Sequence, residues 1–147
     1  MQTTLDCTQL VASIGDAVIG SDPSGAINLW NPAATRMFGF TQAEALGQSL
    51  DIIIPQRQQQ RHWDGYNKTM ETGVTRYGND VLRVPAVHKD GHTLSIAFTV
   101  SMLHSPDGKI SAIVAVVRDE SARFAEDRAL KKRLTELEMA AAKPVGQ

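Results

Sequence analysis

The sequence of 147 residues predicts an α+β domain: a five-stranded antiparallel sheet with short helices on one face, flanked by an N-terminal and a C-terminal helix. Three observations predict it. Two strand-like runs surround "DPSG" near the start, three more runs with period two follow residue 81, and the segments between them carry helix signals. Strands gathered at the two ends of a domain, with helices between, pack most economically as one sheet with the helices over one face. That arrangement encloses a cleft between sheet and helices.

The elements follow in order. Leu5, Leu10, Val11 and Ile14 among polar residues mark a short helix within 5–14. "DAVIGSDPSGAINLWN" reads as a hairpin, because Pro and Gly supply the fixed and the permissive backbone angles of a tight reversal. Asn31 before Pro32 is a helix N-cap and first-turn pair opening "PAATRMFG", which stops at Gly39. Thr41 and Glu44, three apart, form a capping box for "QAEALG". After "DIII", Pro55 opens a longer helix, "QRQQQRHWDGYNKTMET", closed by Gly73. Gly65 inside it costs about 1 kcal/mol relative to Ala, which points to a close approach there. "VLRVPAV", "TLSIAFTVSML" and "ISAIVAVVRD" are strands joined by "HKDGH" and "HSPDGK", whose Asp-Gly pairs favour hairpin turns. Leu94, Ile96, Phe98, Val100 and Met102 alternate strictly and form one apolar face. Pro85 cannot donate to a ladder, so its strand belongs at an edge.

Composition narrows the function classes. Lys plus Arg is 15 against 16 Asp plus Glu, a net charge of −1, which provides no field for nucleic-acid backbones. The longest apolar run is "AIVAVV" and the N-terminus lacks a signal-peptide pattern, so the expectation is a cytoplasmic protein with no membrane contact. Cys7 is the single cysteine, which excludes an internal disulfide and a thiolate metal site within one chain. His88 and His92 flank one turn and His104 precedes another; they read as solvated, and no pair of them has a carboxylate or cysteine partner at ligand spacing for zinc. No Ser-His-Asp, phosphate-loop or paired-carboxylate pattern stands out, so an enzyme is not expected.

Two stretches carry a family resemblance. "DAVIGSDPSGAINLWNPAATRMFGFTQAEALGQSL" resembles the opening half of a PAS domain, and "HKDGHTLSIAFTVSML" with "GKISAIVAVVRDES" resembles its closing half, together covering about residues 8–121. The resemblance implies a sensory and dimerisation module, and divides the chain into an N-terminal cap (1–10), a PAS sensor domain (11–121), a signalling helix (122–142) and a frayed tail (143–147). It implies service to a kinase, cyclase or transcription-regulator output and a homodimer formed through the terminal helices. Light-sensing flavin PAS domains use a cysteine in the helical region; this chain has none there.

The helix around "RHWDGYNKTM" is similar to the proximal helix of heme-binding oxygen sensors of the FixL type, in which a histidine following an arginine holds the iron. On that register His62 is the proximal ligand of heme b, a neutral imidazole on a helix facing an apolar cleft. Tyr66 and Met70 follow at four-residue spacing and would line the porphyrin. Lys68 and Arg76 fall where that family contacts the propionates. Leu82 replaces the family's oxygen-bonding arginine, and Phe98 and Val100 complete an apolar distal side, which removes the hydrogen bond that favours oxygen over carbon monoxide or nitric oxide. Arg83 should point to the opposite face. The resemblance thus implies a sensor of a diatomic gas or of redox state. The alternatives are a cofactor-free dimerisation or interaction module, or a domain holding a non-covalent flavin or a small metabolite. Leu130, Leu134, Leu137 and Ala141 are spaced four, three, four, as in a coiled-coil seam; the competing arrangement is a helix folded back on its own sheet.

Overall fold

A computed structural model describes residues 4–74 and 80–142. The elements are α1 (Cys7–Ser13), β1 (Ala17–Ser21), β2 (Ile27–Trp30), α2 (Pro32–Phe38), α3 (Gln42–Ala45), a 3-10 turn (Leu50–Ile53), α4 (Gln56–Thr72), β3 (Leu82–Val87), β4 (Thr93–His104), β5 (Ile110–Asp119) and α5 (Ser121–Ala142). The sheet order is β2-β1-β5-β4-β3, with every neighbouring pair antiparallel. The first and last strands therefore meet in the middle. This agrees with their sequences, since each of the five residues of β1 is buried and β5 is mostly apolar. Pro85 lies on β3, at the sheet edge where its missing N–H is tolerated.

Local signals set the helix ends. Thr41 and Glu44 exchange both capping-box bonds, and Gly39 and Gly73 close α2 and α4 in the left-handed region. Asn31 does more than cap α2. Its Oδ1 accepts from Val18 N–H at 2.9 Å and Ala34 N–H at 3.0 Å, while Nδ2 donates to the carbonyls of Val11 and Asp16. One buried amide thus ties the end of α1, the start of β1 and the start of α2 together.

The core lies between one sheet face and α2, α3 and the 3-10 turn: Ala17, Ile19, Ile96 and Val117 meet Ala34, Phe38, Ala45 and Ile53. Trp30 sits at its centre, with its indole N–H donating to the Phe40 carbonyl and the Thr35 hydroxyl. The expectation for Gly65 does not hold. It is exposed, and a Cβ placed there would meet nothing within 4 Å among the described residues, so no packing requirement among them accounts for a glycine at this site. α5 does not fold back onto the sheet: none of its residues is buried, and Leu130, Leu134 and Leu137 are exposed. No described helix is long and apolar enough to cross a membrane.

Candidate functional site

α4 is polar along most of its length and carries one aromatic patch. His62 and Tyr66 are a turn apart, and Trp63 lies beside them, so the three rings share one face. Their centroids are 4.6 Å (His62 to Trp63), 5.1 Å (Trp63 to Tyr66) and 5.7 Å (His62 to Tyr66) apart. Tyr66 is the buried residue of this helix. Its hydroxyl donates to the Asp22 carbonyl and is bonded to the Ser21 hydroxyl at 2.9 Å; with the phenolic proton on Asp22, Ser21 is the donor to Tyr66. Burial raises the Tyr66 pKa, keeping the phenol protonated for that role. Trp63 lies over Gly25 in the β1–β2 turn and donates to Asp51 Oδ1 at 2.6 Å. The middle of α4 is therefore pinned to the β1–β2 turn and to the 3-10 turn.

His62 is placed differently from its neighbours. It is half-buried, and its Nδ1 is the buried side-chain polar atom that lacks a hydrogen-bond partner among the described residues. Burial lowers its pKa, against an opposing pull from the Asp51 charge, which leaves a neutral imidazole near pH 7. A neutral imidazole with an unpaired ring nitrogen has the lone pair that metal coordination requires.

The other sequence-predicted positions lie on the core-facing side of the sheet. Leu82 stands opposite Phe98, Phe98 opposite Val117, and Val100 opposite Ala115, which puts Leu82, Phe98 and Val100 on one face. Ser21 belongs to that face as well, since Ile19 and Ser21 pair with Ala115 and Ile113. Tyr66 therefore anchors α4 over the same side. Ala17, Ile19, Ile96 and Val117 on this face are buried, whereas Leu82, Phe98, Val100, Met102 and Ile113 are only half-buried. Arg83 pairs with Ala97 and is exposed on the other face, as alternation requires.

The remaining positions are dispersed. Met70 is half-buried on α4, Lys68 is exposed, and Arg76 lies outside the described residues. Sequence reasoning did not identify Ser21, Gly25 or Asp51 as partners of this helix. Asp51 carried no signal, and the Ser21–Tyr66 bond joins residues 45 apart. The expectation for the hairpin histidines is corrected: His88 and His92 do have a carboxylate partner, Asp90, and their ligand atoms and its oxygen all lie within 4.8 Å of one another.

A family model described as the PAS fold matches residues 6–119. The chain belongs to the PAS family. PAS domains are sensory modules of signalling proteins. This PAS domain is 30% identical over 130 residues to the sensor protein FixL of Bradyrhizobium diazoefficiens, covering 88% of this chain and 24% of that one. It is 28% identical over 100 residues to the oxygen sensor protein DosP of Escherichia coli, covering 68% of this chain and 12% of that protein. The chain thus spans a quarter or less of these relatives. Among solved structures, the PAS domain of a Colwellia psychrerythraea protein superposes with a TM-score of 0.69 at 18% identity, covering 79% of this chain and 95% of that one.

Proposed function

We propose that this PAS domain is a heme-based sensor of a diatomic gas or of redox state, with His62 as the axial ligand. The observation that carries the reading is the neutral, half-buried His62 with its unpaired Nδ1, on the helix that Tyr66 ties to Ser21 of β1. The residues fit the group: an imidazole on a pinned helix supplies the ligand, and Leu82, Phe98 and Val100 supply apolar surface that an apolar macrocycle would cover. When bound, heme would supply an iron centre responsive to oxygen, carbon monoxide, nitric oxide or redox state. Lys68 and Arg76 would face the propionates, Met70 the porphyrin edge. Tyr66, with its hydroxyl committed to Ser21 and Asp22, acts by holding α4 and hence His62 in place. Leu82, Phe98 and Val100 offer no hydrogen-bond donor, so the site's own residues give no polar preference among the gases.

Repacking of β4 would pass the signal to α5. Pairing through α1 and α5 into a homodimer, and coupling to a kinase, cyclase or transcription-regulator output, complete the proposal for a cytoplasmic module. The test is hemin titration of the purified chain beside His62→Ala. A stoichiometric Soret band that shifts on reduction and carbon monoxide addition, and is lost or moved in the variant, is expected. No stoichiometric uptake, or uptake indifferent to the substitution, sinks the heme reading and leaves a cofactor-free interaction module or one with an organic ligand.

A further inference from the structure

The two hairpins that flank β4 are built on one plan. In each five-residue turn the first residue's N–H donates to the fifth residue's carbonyl, and the glycine N–H donates to the first residue's carbonyl, all at 2.9 Å. In each, the aspartate Oδ1 accepts the fifth residue's N–H at 3.0 Å, and the glycine that follows has positive φ. The β4–β5 turn achieves this with Ser105 and Lys109 at the outer positions, whereas the β3–β4 turn places His88 and His92 there. The turn itself therefore requires Asp and Gly but neither histidine.

The imidazoles converge on the carboxylate. Their rings stack with centroids 4.5 Å apart and 21° between planes. His88 Nδ1 lies 3.2 Å from Asp90 Oδ1, and His92 Nδ1 is hydrogen-bonded to the same oxygen. The Nε2 edge of His88 rests against Gly39, where an added Cβ would come within 2.8 Å of it, so Nδ1 is the nitrogen left facing the turn. The turn is also held from behind, by Lys89 N–H donating to the Phe38 carbonyl at 2.8 Å. The Lys89 ammonium is engaged by Glu44 at 2.6 Å, which directs the nearest positive charge to another carboxylate.

We propose that His88, Asp90 and His92 form a three-ligand site for a borderline divalent cation of the zinc, nickel or copper class. Two imidazoles and one carboxylate suit these ions better than calcium or magnesium, which take oxygen ligands. The ligand set leaves further coordination positions to water, since Asp90 and His92 are exposed. Binding turns the two rings out of their stacked arrangement so that both in-plane Nδ1 lone pairs meet the cation, and replaces the Asp90 N–H contact on His88 Nδ1 and the His92–Asp90 hydrogen bond by bonds to it. It joins the first residue of the turn to the last, bracing β3 against β4.

Calorimetric titration of the tag-free chain with zinc chloride tests this. One zinc per chain is expected, weakened at least about tenfold in His92→Gln and in Asp90→Asn. Binding should persist in His62→Ala and His104→Gln, which separates this site from the proposed heme ligand and from the other exposed histidine. Absence of zinc uptake below about 1 mM, uptake unchanged in His92→Gln, or uptake lost in His104→Gln overturns the proposal. Far-ultraviolet circular dichroism of His92→Gln, an exposed position, checks that the loss is not unfolding.

Discussion

The Trp63 indole N–H donates to Asp51 Oδ1 over 2.6 Å while the same ring covers Gly25, so one side chain joins α4, the 3-10 turn and the first hairpin. Its two contacts differ in kind: the first is a charge-assisted hydrogen bond and the second a steric fit that leaves no room for a side chain.

Gly25→Ala tests the steric fit. Gly25 and Gly73 both have positive φ, so alanine at either costs about 1 kcal/mol in backbone strain. At Gly25 the new Cβ meets the Trp63 ring at 2.2 Å, whereas at Gly73 it meets nothing within 4 Å among the described residues. Gly25→Ala should therefore cost a further ~1–3 kcal/mol, and the excess should vanish in a Trp63→Ala background. Urea denaturation of the four variants measures it; equal losses for Gly25→Ala and Gly73→Ala would contradict the packing.

His62 should make stability depend on pH in a defined window. Burial holds its folded pKa below the ordinary 6.5, so between those two values the unfolded chain binds more protons than the native one. The contribution is fully present above 6.5 and is lost as pH falls from there to the lowered folded value. Urea midpoints between about pH 8 and pH 5 should fall less steeply for His62→Asn than for the parent chain. Parallel profiles would show that His62 is not buried as described.

Asn31→Ala should be among the most damaging polar substitutions. It removes four hydrogen bonds and takes these partners from the Val18 N–H and the Val11 and Asp16 carbonyls around a buried position, while the Ala34 N–H keeps the Asn31 backbone carbonyl, a loss of about 3 kcal/mol. Asn31→Ser, which can still cap α2, should retain part of it. Chemical denaturation of both variants checks the order, and equal stability of the two would show that the cap contributes nothing and that the loss lies in the bonds to Val18, Val11 and Asp16.

Much of the architecture was legible because it is specified within a few residues. Asn31 with Pro32, Thr41 with Glu44, Gly39, Gly73 and the alternation from Leu94 to Met102 each act over one turn or one strand, and each forms the expected element. The pairing of β1 with β5 and the bond from Tyr66 to Ser21 depend on segments far apart in the chain, and no local pattern encodes them. The same holds for Trp63, whose partners come from two other elements. Asp90 is the instructive failure: the spacing His-x-Asp-x-His was present, but only the turn's geometry brings alternate residues to one point instead of opposite faces of a strand.

The start of α5 is fastened to β4, with Ser121 Oγ accepting Ser95 N–H at 3.0 Å and the Glu120 N–H donating to the Ser95 carbonyl at 2.8 Å. Beyond that clamp the side chains of the 22-residue helix are exposed, a rod about 33 Å long hinged at its root. Leverage follows: a tilt of about 5° at Ser121 sweeps the far tip through roughly 3 Å, so a sub-ångström adjustment at the first residues of β4 arrives at the other end magnified several times over.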